Sequence, residues 1–291
     1  MSKPATAYSA DVPEFTTRFG VDALSPAIGA EIRDLDLAEK IDSETLAALR
    51  QVLLDRKVIF FRDQEITTEQ HLEFARLFGE VEVHPFLPAL PDYPEVLSLT
   101  HDRERPGREN IWHSDVTWRL EPSLGSVLRA TEVPEHGGDT LFSCMYSAYE
   151  GLSDEIKSEI NGRTAIHDFE RFRFEMRMEG KSEAEIEEAN KLYPEAEHPV
   201  VRTHPETGRK ALYVNSAFTR RIVDLEPERS KELLDFLYSR AAIPEYQCRF
   251  RWQKNSIAFW DNRACQHYAV SDYWPAQRSV ERVTIIGDRP R

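Results

Sequence analysis

Apolar residues recur at helical spacing over residues 43–54 and then run unbroken through Val58-Ile59-Phe60-Phe61, which predicts an amphipathic helix leading into a short buried strand. Thr67 opens a second helix: Gln70 stands at capping-box spacing, Leu72, Phe74, Ala75 and Phe78 form the apolar stripe, and Gly79 marks the stop. From Glu95 onward the pattern changes to short β-like runs broken by Pro and Gly, at 125–130, 140–142, 211–215, 248–252, 256–260 and 280–286. Two further helices, 153–160 and 227–240, interrupt them. Many short strands with helical buttresses predict a mainly β core with flanking helices, a sandwich or barrel. The stretch 175–197 is highly charged, and Ser182 with Glu185 makes another capping box. It reads as a solvated surface helix or, because long insertions between strands gate pockets, as a lid at about 173–197. Without repeats or a linker, the chain is expected to be a polar N-terminal leader (1–14) followed by one domain (15–291).

Composition narrows the partners. The 291 residues are 41% hydrophobic, enough for a sizeable core, and 37 Lys+Arg against 51 Asp+Glu leave a formal charge of -14. A chain so acidic has no general attraction for nucleic acid or anionic membrane surfaces. No apolar run approaches the roughly 18 to 20 residues that span a bilayer, and the start of the chain lacks a signal-peptide core, so a cytoplasmic location is expected. Cys144, Cys248 and Cys265 are scattered and odd in number, as reduced thiols would be. Apolar strand edges and helices suit a homo-oligomer, a dimer or tetramer.

The chemistry concentrates in Trp112-His113-Ser114-Asp115-Val116-Thr117-Trp118. Its β-branched and aromatic residues favour an extended backbone, where His113 and Asp115, at i and i+2, share a face and can hold one metal. Two histidines and a carboxylate on one face of an ion are the triad of non-haem iron oxygenases, which leaves the opposite positions open. His267, beyond Trp260-Asp261-Asn262-Arg263, supplies the distant histidine. Cys265, two residues earlier, would share its face if that segment is extended. In Arg278-Ser279-Val280-Glu281-Arg282-Val283-Thr284, alternation puts Arg278 and Arg282 on the same face, and buried arginines need anions. The far carboxylate of a metal-chelating 2-oxo acid suits the bidentate guanidinium of Arg278. His101, His136, His167, His198 and His204 have no spacing that requires a second metal.

These stretches, together with Lys57-Val58-Ile59-Phe60-Phe61-Arg62, Gly137-Gly138-Asp139-Thr140 and His198-Pro199-Val200-Val201-Arg202-Thr203-His204-Pro205, resemble the taurine dioxygenase family, which also holds alkylsulfatase-type and phenoxyalkanoate-type enzymes. The resemblance runs over nearly the whole chain. It implies a double-stranded β-helix, a cupin-like jelly roll, with iron(II) held by His113, Asp115 and His267 and the far carboxylate of 2-oxoglutarate held by Thr140 and Arg278. Oxygen is then the oxidant, succinate and carbon dioxide are coproducts, and a small anionic substrate (sulfonate, sulfate ester or carboxylate) is hydroxylated or otherwise oxidised. The family pattern further assigns substrate contacts to Arg282, His84, Val116, Phe218 and Arg173. Leu87, Glu109 and Arg173 depart from the taurine-specific pattern, and Val133-Pro134-Glu135-His136 with Ser143-Cys144-Met145-Tyr146 look closer to the phenoxyalkanoate branch.

Two rivals from other classes stand beside this reading. A catalytic zinc accepts the same two histidines and carboxylate and would hydrolyse rather than oxidise. A non-catalytic jelly-roll binding protein would keep the pocket without turnover. Arg278 separates the first, since a zinc hydrolase has no use for 2-oxoglutarate, and the complete triad argues against the second.

Overall fold

The computed structural model describes residues 18–291; the expected leader, 1–14, lies outside the described residues. In chain order the elements are β1 (Gly20–Ala23), β2 (Ala30–Arg33), α1 (Ser43–Arg56), β3 (Val58–Phe61), α2 (Thr68–Arg76), β4 (Ala89–Leu90), β5 (Tyr93–His101), β6 (Ser123–Glu132) and β7 (Thr140–Cys144). There follow α3 (Met145–Glu150), α4 (Asp154–Ile160), β8 (Thr164–His167), α5 (Glu170–Met178), α6 (Glu183–Leu192), β9 (Ala196–Pro199), β10 (Val201–Thr203), β11 (Lys210–Leu212) and β12 (Thr219–Ile222). The chain ends with α7 (Pro227–Ser239), β13 (Gln247–Phe250), β14 (Ile257–Asp261), β15 (Cys265–Ala269) and β16 (Arg278–Ile286).

An eight-stranded sheet, ordered β1-β2-β3-β14-β6-β16-β5-β4, faces a three-stranded sheet, β13-β7-β15; two small sheets, β12-β8-β9 and β10-β11, sit alongside. This is the expected jelly-roll architecture, mainly β with helices packed outside. The period of two decides which residues go where. On β14, Ile257 and Phe259 join Leu49, Val52 and Leu53 of α1 and Leu72, Phe74 and Ala75 of α2 in one core. Ala258 and Trp260 point the other way, into the core between the sheets with Phe142 and Phe250. β3 divides likewise, Ile59 and Phe61 outward to the helices and Val58 and Phe60 inward, which explains its unbroken apolar run.

The helix ends follow their caps. Asp42 accepts from the Thr45 amide at the start of α1, Lys57 closes that helix with φ 64°, and Thr67 with Gln70 forms the full capping box of α2. The charged stretch expected at 175–197 is a pair of helices, α5 and α6, with the Ser182–Glu185 capping box opening the second. Among the described residues no helix is long and apolar enough to cross a membrane.

The Trp112–Trp118 stretch departs from expectation: it forms no strand. His113 makes a single β-bridge to His267, and the chain then turns, with Val116 in the left-handed region at φ 48°. Local propensity favours extension here, but the tertiary hydrogen bonds described below impose a turn.

Candidate metal centre

Strand alternation therefore does not bring the three candidate ligands together; a β-bridge and a turn do. The His113 amide donates to the His267 carbonyl at 3.1 Å, and the His267 amide donates back at 2.9 Å. The turn then folds Asp115 beneath both rings, so that Asp115 Oδ1 lies 3.6 Å from His113 Nε2 and 3.9 Å from His267 Nε2. The ligand atoms of the three buried side chains lie within 4.8 Å of one another.

The surroundings suit a metal ion. His113 Nδ1 donates to the Ile111 carbonyl at 2.8 Å, which fixes the proton there and leaves Nε2 as a lone pair facing Asp115. Burial, and then the neighbouring His113, pull the His267 imidazole down to about 3, so it too is neutral at physiological pH. Burial alone would raise the Asp115 carboxyl, but the Arg282 guanidinium and the two imidazoles outweigh it and hold the group well below the usual carboxylate range. Asp115 Oδ2 also accepts from Ser126 Oγ at 3.1 Å, and Oδ1 accepts from Arg282 Nη1 at 2.9 Å. Neutral imidazoles beside an ionised carboxylate form a donor set for a divalent ion such as iron or zinc.

A cavity between the two sheets opens from this cluster. His113, His267, Arg282, Thr140 and Arg278 line it, with Phe142, Trp260, Leu128 and Val280 as apolar walls. Arg278 is buried, and among the described residues no carboxylate forms an ion pair with it; its Nε has no partner. Its stem passes close to Gly138, where an added Cβ would come within 3.1 Å of Arg278 Cδ and where φ is +72°, so a glycine serves both needs. Thr140 Oγ1 accepts from Trp252 Nε1 at 2.9 Å, which leaves its own proton free to donate. A buried, unpaired guanidinium and a hydroxyl with a free proton, lining one cavity, suit a carboxylate.

The other expected contacts, Val116, Phe218, His84 and Arg173, are not among the residues lining this cavity. Val116 and Phe218 pack in an aromatic cluster with Trp118, Phe169 and Phe172, and the Phe218 ring is 6.3 Å from that of His113. His84 is buried in the same region; its Nδ1 accepts from the Phe86 and Leu87 amides, each at 3.2 Å, while its Nε2 has no partner. Burial and then Arg282 lower it to about 3, so Nε2 carries the proton as a neutral donor. Arg173 is turned to Asp168 and lies 4.9 Å over the Phe169 ring.

Sequence reasoning overlooked several residues here. His101, whose spacing required no second metal, lines the cavity together with Glu109, and its Nε2 lies 3.4 Å from Glu109 Oε2. Nothing in their spacing signals it. The Cys265 thiol, considered as a neighbour of the metal, instead donates to the Asp261 carbonyl at 3.2 Å within the apolar core.

A profile of the taurine catabolism dioxygenase TauD, TfdA family matches residues 20–284. The chain belongs to this family. It is 36% identical over 279 residues to an alkylsulfatase of Acinetobacter baylyi, covering 94% of this chain and 86% of that one. It is likewise 36% identical to an alpha-ketoglutarate-dependent sulfate ester dioxygenase of Pseudomonas putida, over 93% and 90% of the two chains. Against the 2,4-dichlorophenoxyacetate dioxygenase of Cupriavidus pinatubonensis the identity is 30% over 283 residues, covering 91% of this chain and 96% of that one. The crystal structure of a taurine dioxygenase from Burkholderia xenovorans superimposes with a TM-score of 0.81 at 37% identity, over 94% of this chain and 91% of that one.

Proposed function

We propose that this protein oxidises a small organic sulfate ester at the carbon bearing the ester oxygen, with iron(II) held by His113, Asp115 and His267. The class is that of a 2-oxoglutarate-dependent dioxygenase, with iron(II), 2-oxoglutarate and oxygen as its cofactor set. The observation that carries the reading is one cavity with a neutral-His, ionised-Asp triad at one end and an unpaired buried arginine, Arg278, further along the same wall. A zinc hydrolase explains the triad but leaves Arg278 without an anion.

The bound iron with 2-oxoglutarate and oxygen supplies the oxidising power, and succinate and carbon dioxide are the coproducts. The chain does the rest. Arg278 and the Thr140 hydroxyl bind the far carboxylate of 2-oxoglutarate and thereby set its distance from the triad. Arg278 and Arg282 are four residues apart on one strand face, which separates their attachment points by about 13 Å. Phe142, Trp260, Leu128 and Val280 exclude water from the space between. The substrate anion meets the Arg282 guanidinium, whose Nε is free, and the Nε2–H of His84, while Val116, Phe172 and Phe218 hold the carbon chain. A hydroxylated carbon carrying a sulfate group collapses to a carbonyl compound and releases sulfate, so the chain needs no separate hydrolytic group. Sulfate is the first choice of anion because the 36% identical relatives carry alkylsulfatase and sulfate ester names.

Succinate release tests the proposal across primary alkyl sulfates, sulfonates and aryloxy acids. Sulfate esters should stimulate it most, with inorganic sulfate formed in equal amount, and Arg282→Ala should remove the stimulation. Equal stimulation by sulfonates without sulfate release would overturn the substrate assignment.

A further inference from the structure

We infer that Asn262 is a positioning residue that sets the Asp115 carboxylate against the two histidines, and that it does so by imitating a β-bridge with its side chain. The inference rests on the triad reading of the site.

Two of the three candidate ligands come from the 112–118 segment, and both are tied to the hairpin formed by β14 and β15, which carries the third. His113 is tied by main chain, through the reciprocal amide–carbonyl pair with His267 at 3.1 and 2.9 Å. At Asp115 the chain has turned and no main-chain partner is offered in that register. Asn262 supplies one. Its Oδ1 accepts from the Asp115 amide at 2.7 Å and its Nδ2 donates to the Asp115 carbonyl at 2.9 Å, the same donor-plus-acceptor pair that a strand residue would offer. A third bond occupies the other amide hydrogen: Nδ2 also donates to the Ser123 carbonyl at 3.3 Å.

The frame behind Asn262 is rigid. Its own amide donates to the Leu124 carbonyl at 2.9 Å, and it follows Asp261, which pairs with Gly125 of β6. Asp261 is fully buried and held by Arg263 Nη2 at 2.8 Å and by His204 Nε2 at 3.0 Å. The turn it fixes is one the sequence resists, since Val116, a β-branched residue, sits at φ 48°. Such a conformation persists only when surrounding contacts over-determine it. Ser114 Oγ donates to the Cys265 carbonyl at 2.9 Å and Asn215 Nδ2 donates to Thr117 Oγ1 at 3.0 Å, while Ser126 and Arg282 hold the Asp115 carboxylate, which leaves Asn262 as the clamp on the main chain of the ligand residue.

Anaerobic cobalt(II) titration, read by visible absorption, tests this on wild type, Asn262→Ser, Asp115→Ala and the double variant. Asn262→Ser keeps a small neutral side chain but loses the paired geometry. We expect it to weaken cobalt binding by about 10-fold or more. In the Asp115→Ala background the same change should alter affinity by less than about 2-fold, because no carboxylate remains to be placed. A purely structural role predicts equal losses in both backgrounds, and that result, or unchanged affinity in Asn262→Ser, would overturn the inference. Wild type that binds no cobalt, or binds it equally after His267→Ala, would overturn the triad reading itself. Hydrogen exchange on metal-free wild type gives a check that needs no variant: the Asp115 amide should be strongly protected, and rapid exchange would refute the clamp.

Discussion

The metal-binding turn and the α5–α6 helix pair border the same aromatic cluster, yet they are built by opposite means. The turn is fixed from inside: His113, Ser114, Asp115 and Thr117 are all buried, and each hydrogen-bonds to a partner distant in sequence. The helix pair is fixed mainly from one side. Phe172 packs beneath it with Phe86 (ring centres 5.3 Å apart), while Phe174, Met178 and Leu192 are 58%, 69% and 64% exposed. Two of its ion pairs, Arg177–Glu183 and Lys181–Glu185, lie on the surface, where such pairs contribute about 0 to 1 kcal/mol. The candidate ligands thus lie in the part of the molecule held by buried bonds, and the helix pair in a part held largely by contacts on one face. We propose that α5 and α6, which span most of the lid expected at about 173–197, cover the substrate pocket.

The largest effect should come from the turn. Removing a ligand, by His267→Ala or Asp115→Ala, should lower 2-oxoglutarate-dependent succinate release by roughly 1,000-fold or more, with circular dichroism unchanged, since the metal supplies several kcal/mol of catalysis. A retained rate would break the comparison at once. Arg278→Ala comes next. Loss of one partner of a buried charge pair costs at least about 2 kcal/mol, so 2-oxoglutarate affinity by anaerobic titration should fall by about 30-fold or more.

The helix α2, packed on the sheet that supports the turn, carries its own pH signature. His71 is wholly buried, with Nε2 against the Val127 carbonyl at 3.0 Å, and burial lowers its pKa to about 4. The unfolded chain takes up a proton near pH 6.5 that the folded chain refuses until about pH 4, so stability is full above pH 6.5 and declines as the pH falls through that window. The loss approaches about 3 kcal/mol from this residue, and His71→Gln should remove that part of the slope in urea unfolding measured from pH 7 to pH 4. In the helix pair, Phe172→Ala should raise KM for the organic substrate by about 10-fold, equivalent to ~1.4 kcal/mol, and leave 2-oxoglutarate binding alone. The smallest effect is expected for Arg177→Ala, within about 0.5 kcal/mol of wild type in chemical unfolding.

Much of this was legible in the sequence where local chemistry decides. The capping residues Thr67 and Ser182, the Val58–Phe61 strand and the alternation of Arg278 and Arg282 follow from rules that act over a few residues, and the structure keeps them. The ligand segment shows the limit. Local propensity in Trp112–Trp118 favours a strand, and the turn that forms instead depends on Asn262, 147 residues from Asp115. The same holds for Glu109 and His101, which meet at the cavity because loop and strand converge there and not because of any spacing between them. Arg282 is legible as a buried arginine, but its bond to Asp115 is visible only in three dimensions.

The central claim is that one cavity holds iron at the triad and 2-oxoglutarate at Arg278. Anaerobic titration of the metal-free protein with iron(II) and 2-oxoglutarate, followed by visible absorption, tests it most directly. The account predicts a weak charge-transfer band that requires both additions and is greatly reduced in Arg278→Ala at the same 2-oxoglutarate concentration. Folded wild-type protein that gives no band, or a band of equal strength and affinity in the variant, would contradict it.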